Sequence, residues 1–250
     1  MRRLTMLASI LLGASAMMAG SIAGSAEIHK GDLENGKKIF TEGKGSVPAC
    51  VSCHGEAGMG NDMMGTPRLA GQVAPFIIKQ LEDFATDKRT DTTMFVMNAN
   101  AKGLSPQDRV DVAVYVNSLP ATSNISNLDE LKSNGTDVGQ PYLGKIIVNY
   151  GIEKKGVPAC KSCHGFNGRG VDPIYPRLQQ QKYVYMMNQL KKWRDGSRTN
   201  DPMEQMQKVA RKLSDADMMN AAAFLSGAPE TTMGNSRVPE QHIPLLYDPH

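Results

Sequence analysis

All four cysteines of the 250-residue chain stand in two copies of one pattern, Cys50-Val-Ser-Cys53-His54 and Cys160-Lys-Ser-Cys163-His164. Two thiols three positions apart can add to the two vinyl groups of one haem, and the histidine that follows is then placed under the iron as its ligand. A tetrahedral zinc site would want the two pairs about 15 to 20 residues apart, whereas 106 residues separate Cys53 from Cys160. A disulfide or a thioredoxin-like redox pair would suit an oxidising compartment, but neither accounts for a histidine after both pairs. The pattern predicts two covalently bound haem c groups. Cys50 and Cys53 would hold the first, Cys160 and Cys163 the second, with His54 and His164 on the irons.

The motif is the most visible part of a longer repeat. Val47 to Gly55 recurs at Val157 to Gly165, an offset of 110. The offset then becomes 109 and holds for Pro67-Arg68-Leu69 with Pro176-Arg177-Leu178, Gln80-Leu81 with Gln189-Leu190, Arg89-Thr90 with Arg198-Thr199, and Leu104-Ser105 with Leu213-Ser214. A sixth iron ligand needed in both copies should obey the same offset. Met94 pairs with Met203 and Met97 with Met206, while the remaining methionines, and His29, His242 and His250, have no partner at that offset. Methionine or histidine there closes the iron for electron transfer, and an open position would allow chemistry on a small ligand.

Each copy must supply helices to hold these groups. Apolar spacing predicts a helix before the motif (about Asp32 to Glu42, and Tyr142 to Tyr150), a central one (near Pro75 to Thr86, and Lys182 to Asp195), and a last one capped by Ser105 or Ser214 with an acid in its first turn. Strand signals are absent, so the class is all-α. Pro120 to Gln140, rich in Ser, Asn and Gly, reads as the connection between the copies. The organisation expected is a signal peptide over 1–26, an N-terminal haem domain over 27–127, a C-terminal haem domain over 128–226 and an extended tail over 227–250.

Composition fits this plan. With 40% hydrophobic and 21% charged residues the chain is neither disordered nor a multi-span membrane protein. Only 6% of residues are aromatic, a thin supply for two cores unless a large cofactor helps to fill them. Arg2-Arg3, the apolar run from Leu4 to Met18 and Gly24-Ser25-Ala26 read as an export signal cleaved after Ala26, which places the mature chain in the periplasm. Membrane contact would then come only through partners, unless the signal stays as an anchor. The mature charge is near zero, which argues against nucleic-acid binding. It is uneven, however, with ten basic and twelve acidic residues over 27–127 against fifteen and ten over 128–226. The basic half would favour an acidic partner.

These motifs resemble tandem class I cytochrome c domains of the dihaem cytochrome c4 type, over roughly residues 30 to 226. Arg198-Thr-Asn-Asp201 and Lys212-Leu-Ser214 match that family's pattern well. The resemblance implies Met97 and Met206 as the iron ligands, seven residues before Leu104 and Leu213, with Met94 and Met203 as core neighbours. It implies that the carbonyls of Pro67 and Pro176 accept the ring N–H of the proximal histidines. Arg68, Arg177, Arg89 and Arg198 are candidates to pair with haem propionates, since a guanidinium matches a carboxylate in two-pronged geometry. Tyr185 is the family's aromatic in the second copy, where the first has Phe76.

The resemblance implies electron transfer, one electron at a time, between respiratory redox proteins, with a membrane terminal oxidase as the acceptor. The chain would then not be an enzyme. The alternatives are a haem subunit of a dehydrogenase complex, and a dihaem enzyme such as a peroxidase or a sulfur-compound dehydrogenase.

Overall fold

A computed structural model describes residues 30–229. The expected signal peptide and the tail beyond residue 229 lie outside the described residues. The described residues form eleven α-helices, three short 3-10 helices and a few isolated bridges, with no strands among them, and the fold is all-α. No described helix is long and apolar enough to cross a membrane.

The first half contains α1 (Leu33–Glu42), α2 (Val51–His54), α3 (Ala74–Ala85), α4 (Met97–Lys102) and α5 (Pro106–Ser118). Helix α1 starts at Asp32, whose carboxylate accepts from the backbone N–H groups of Glu34 and Asn35, and it packs on α5. Helix α5 packs in turn on α3 around Ile39, Phe40, Ile77, Val112 and Val116. The second half contains α6 (Leu128–Ser133), α7 (Pro141–Tyr150), α8 (Lys161–His164), α9 (Tyr183–Asp195), α10 (Gln205–Ala210) and α11 (Asp215–Ser226). There α7 packs on α11 and α11 on α9, around Ile147, Val148, Tyr183, Met186, Trp193 and Met218.

Close helix crossings explain two glycines. A Cβ at Gly36 would stand 2.1 Å from the carbonyl oxygen of Asp111, and one at Gly144 would stand 1.8 Å from that of Asn220. The outer faces of the same two helices differ. At equivalent positions α1 exposes Glu34, Lys38 and Glu42, whereas α7 exposes Tyr142, Ile146 and Tyr150.

Ser105 and Ser214 form full capping boxes with Asp108 and Asp217. The stretch from Pro120 to Gln140 is not a plain connection, because it contains α6. Asn127 caps that helix by accepting from Glu130 N, and Leu131 is buried in the second core. Six residues are too few to show helical periodicity among so many Ser, Asn and Gly. The single-turn helices α2 and α8, and the short α4 and α10, escaped the sequence for the same reason.

Two outcomes are expected. Gly144→Ala drives a Cβ into backbone and should destabilise the holoprotein by about 1–3 kcal/mol, read as a lower melting temperature by circular dichroism. The second concerns Asp108, which is buried and accepts from Lys44 Nζ (2.7 Å), Ser105 Oγ (2.7 Å) and Asn35 Nδ2 (3.2 Å). Burial alone would raise its carboxyl, but Lys44 and Ser105 outweigh it and hold it at about 2. A carboxyl held below its unfolded value of about 3.9 adds stability that is complete above that value and lost as pH falls through the folded one. Melting followed against pH should show this loss between about pH 4 and pH 2 in the wild type, and less of it in Asp108→Asn.

Candidate functional site

Helices α2 and α8 are single turns, so Cys50, Cys53 and His54 at i, i+3 and i+4 share one face, as do Cys160, Cys163 and His164. The four thiols are not joined in disulfides. Burial pushes the Cys50 and Cys160 thiols up to about 11, the reverse of what a reactive redox thiol needs.

Both histidines are buried. His54 Nδ1 donates to Pro67 O at 3.0 Å and His164 Nδ1 to Pro176 O at 2.9 Å. Burial holds both imidazoles below their ordinary pKa. A neutral ring whose Nδ1 carries the proton keeps its lone pair on Nε2, which is the form that ligates a metal. The loops that bring the prolines into place are tied to the motif itself. Gly60 N donates to His54 O and Gly170 N to His164 O. Gly60 has φ 73°, and a Cβ there would stand 2.5 Å from Arg68 N, so only glycine fits.

Met97 opens α4 and Met206 lies in the first turn of α10, both half-buried. Carboxylates grip the backbone at these points. Asp91 accepts from Val96 N and Met97 N (3.2 and 3.3 Å), and Asp201 accepts from Met206 N and Gln207 N (2.7 and 3.1 Å). The chain approaches each methionine through left-handed residues, Phe95 in one half and Met203 and Glu204 in the other. Met94 is half-buried, but Met203 is 74% exposed. Its reading as a core neighbour is therefore corrected, since the left-handed turn lifts its side chain out.

The arginines lie where the two halves meet. Arg68 donates to Gln180 Oε1 and Thr122 O, and Arg177 to Gln179 Oε1. Arg89 and Arg198 are buried side by side in a cluster related by the repeat. Arg89 donates to Gln80, Gln189 and the Tyr185 hydroxyl, and Arg198 to Gln189, Gln80 and Asn200. Tyr185 thus serves the arginine of the opposite half. The guanidinium groups lie over Phe84 and Trp193. All these hydrogen-bond partners are neutral, and burial together with the neighbouring Arg89 pushes Arg198 down to about 9. Two buried cations without a hydrogen-bonded anion are costly, and a cofactor bearing carboxylates would neutralise them. Thiols, imidazoles and this cationic cluster all fit haem.

The cytochrome c family profile matches residues 33–120 and 154–229. The chain belongs to the cytochrome c family. It is 32% identical over 203 residues to the thiosulfate dehydrogenase electron acceptor of Stutzerimonas stutzeri, covering 80% of this chain and 89% of that protein. It is 34% identical over 186 residues to the protein of the same name from Thiomonas intermedia, covering 72% and 79%. Among solved structures, thiosulfate dehydrogenase from Marichromatium purpuratum superposes with a TM-score of 0.70 at 30% identity, over 78% of this chain and 40% of that longer one. Reduced cytochrome c4 from Pseudomonas stutzeri superposes with a TM-score of 0.63 at 30% identity, over 79% and 98%. This cytochrome is of the dihaem c4 type, and it carries two covalently bound haem c groups.

The sequence missed Asp91 and the roles of Asp201, Gln80 and Gln189. Gln80 and Gln189 were visible as a repeat pair. Asp91 and Asp201 are one position out of the 109 register, which pairs Asp91 with Asn200 and hides the shared role.

Removing one charge from the arginine pair should show which way it tunes the site. A buried cation favours the reduced, less positive state, so Arg198→Gln should lower haem potential in a spectroelectrochemical titration. An unchanged titration would place the pair away from the haems.

Proposed function

We propose that this cytochrome is a periplasmic electron carrier that accepts electrons one at a time from a thiosulfate-oxidising dehydrogenase and passes them to a further redox partner, such as a terminal oxidase. The observation that carries the donor is its 32% and 34% identity, over most of its length, to two thiosulfate dehydrogenase electron acceptors. Haem bound at each motif supplies a one-electron couple. Cys50 and Cys53, and Cys160 and Cys163, hold it covalently. His54 and Met97 would hold the iron in the first half, and His164 and Met206 would hold it in the second. Methionine opposite histidine raises the potential and leaves no open position for substrate, so the chain carries electrons for an enzyme without being one. Pro67 and Pro176 fix the histidine rings, while Asp91 and Asp201 fix the backbone at the methionines.

A second reading, a haem subunit held permanently by its dehydrogenase, is favoured by the Marichromatium purpuratum structure, where the matched part makes up 40% of a longer chain. The two readings differ in whether the cytochrome leaves the enzyme between turnovers.

Stopped-flow mixing of the ferric protein with thiosulfate and a thiosulfate dehydrogenase should reduce both haems, and thiosulfate alone should reduce neither. Reduction by thiosulfate alone would make the chain itself the enzyme, and no reduction in either case would remove this donor. In the same ferric protein, Met97→Ala and Met206→Ala should each abolish half of the weak methionine-to-iron absorption band. A band that survives both changes would overturn the assigned ligands.

A further inference from the structure

We propose that Gln72 and Gln181 are positioning residues that act across the contact between the halves, each setting the strength with which the opposite half holds its proximal histidine. This rests on His54 and His164 being iron ligands.

The geometry turns on a single peptide group in each half. The carbonyl of Pro67, which accepts from His54 Nδ1 at 3.0 Å, belongs to the same peptide as the N–H of Arg68. That N–H donates to Gln181 Oε1 at 2.7 Å, and Gln181 Nε2 donates back to Arg68 O at 3.0 Å. The mirror arrangement is complete. The carbonyl of Pro176 accepts from His164 at 2.9 Å, Arg177 N donates to Gln72 Oε1 at 2.7 Å, and Gln72 Nε2 donates to Arg177 O at 3.0 Å. Each glutamine is 5% exposed. Its oxygen also accepts from the next backbone N–H, Val73 or Lys182, which fixes the amide orientation, because the oxygen meets two donors and the nitrogen meets a carbonyl.

Hydrogen bonds in a row polarise one another. An acceptor on the Arg68 N–H shifts electron density toward the Pro67 oxygen and makes it a stronger acceptor for the imidazole N–H. A histidine whose N–H is more strongly held is a more basic ligand, and a more basic ligand stabilises ferric over ferrous iron. Gln181 therefore lowers the potential of the first haem, which is attached to the other half, and Gln72 lowers that of the second. A residue serving only to glue the halves together would have no such crossed signature.

The test uses the full holoprotein, with an NMR-monitored redox titration that resolves the two haems through methyl signals assigned in Met97→Ala and Met206→Ala. Gln181→Leu should raise the potential of the first haem, speed deuterium exchange of the His54 Nδ1 proton, and leave the second haem unmoved. Gln72→Leu should do the reverse. Should a leucine variant fail to fold, Gln181→Asn or Gln72→Asn withdraws the amide by one carbon while keeping it polar, and the same crossed shift is expected. Shifts confined to the half that carries the change, equal shifts at both haems, or no shift would each overturn the proposal. Wild-type spectra without shifted histidine ring signals would instead overturn the ligand reading beneath it.

Discussion

A buried neutral imidazole has two ring nitrogens and one proton to dispose of, and the architecture of both halves follows from where that proton goes. Leaving it without an acceptor in the interior would cost more than the bond itself is worth. The carbonyls of Pro67 and Pro176 take it. To reach them the chain must turn back on the motif within thirteen residues in the first half and twelve in the second, and Gly60 and Gly170 permit the turn by donating to the histidine carbonyls at close range. The helices α1, α3 and α5, with α7, α9 and α11, form the apolar scaffold that holds these turns in place.

The contact between the halves is made of polar groups. Gln72, Gln181, Gln80, Gln189, Arg89 and Arg198 are buried in it, and the hydrogen bonds run between repeat-equivalent partners. An apolar contact of the same size would tolerate sliding, because dispersion has no direction. A contact made of buried amides and guanidinium groups holds one register, since each lost bond leaves a desolvated group behind. That register keeps the two proline loops opposite one another, and it sets the buried guanidinium groups of Arg89 and Arg198 around the shared Gln80 and Gln189.

Much of this was legible in the residues. The doubled Cys-x-x-Cys-His pattern named the cofactor, and the repeat offset reduced sixteen methionines to two pairs. Helix ends were readable where a side chain caps them, at Asp32, Ser105 and Ser214. What stayed hidden was short or long-range. Helix α6 has six residues and one buried leucine, too little for periodicity to register. The arginines were recognisable as anion partners, but nothing in the sequence says that Arg89 would be served by Gln189 and Tyr185, a hundred residues away. Met203 carries the repeat signal of a core residue and yet stands in solvent, because the left-handed turn through Met203 and Glu204 decides its direction.

A duplicated domain that folds against its own copy divides its surface into two kinds of position. On the shared contact a residue faces the partner of its own twin, so a change in one copy leaves a buried group unmatched until the other copy changes as well. The glutamine and arginine pairs have kept the same residue type in both halves. Outward positions carry no such obligation. Glu34, Lys38 and Glu42 on α1 became, or came from, a face that on α7 reads Tyr142, Ile146 and Tyr150, although the buried sides of both helices still share a glycine and an isoleucine. The two ends of the molecule thus differ in what they can meet, while the seam keeps its glutamine and arginine pairs in both halves and departs from the repeat at Tyr185, whose counterpart is Phe76.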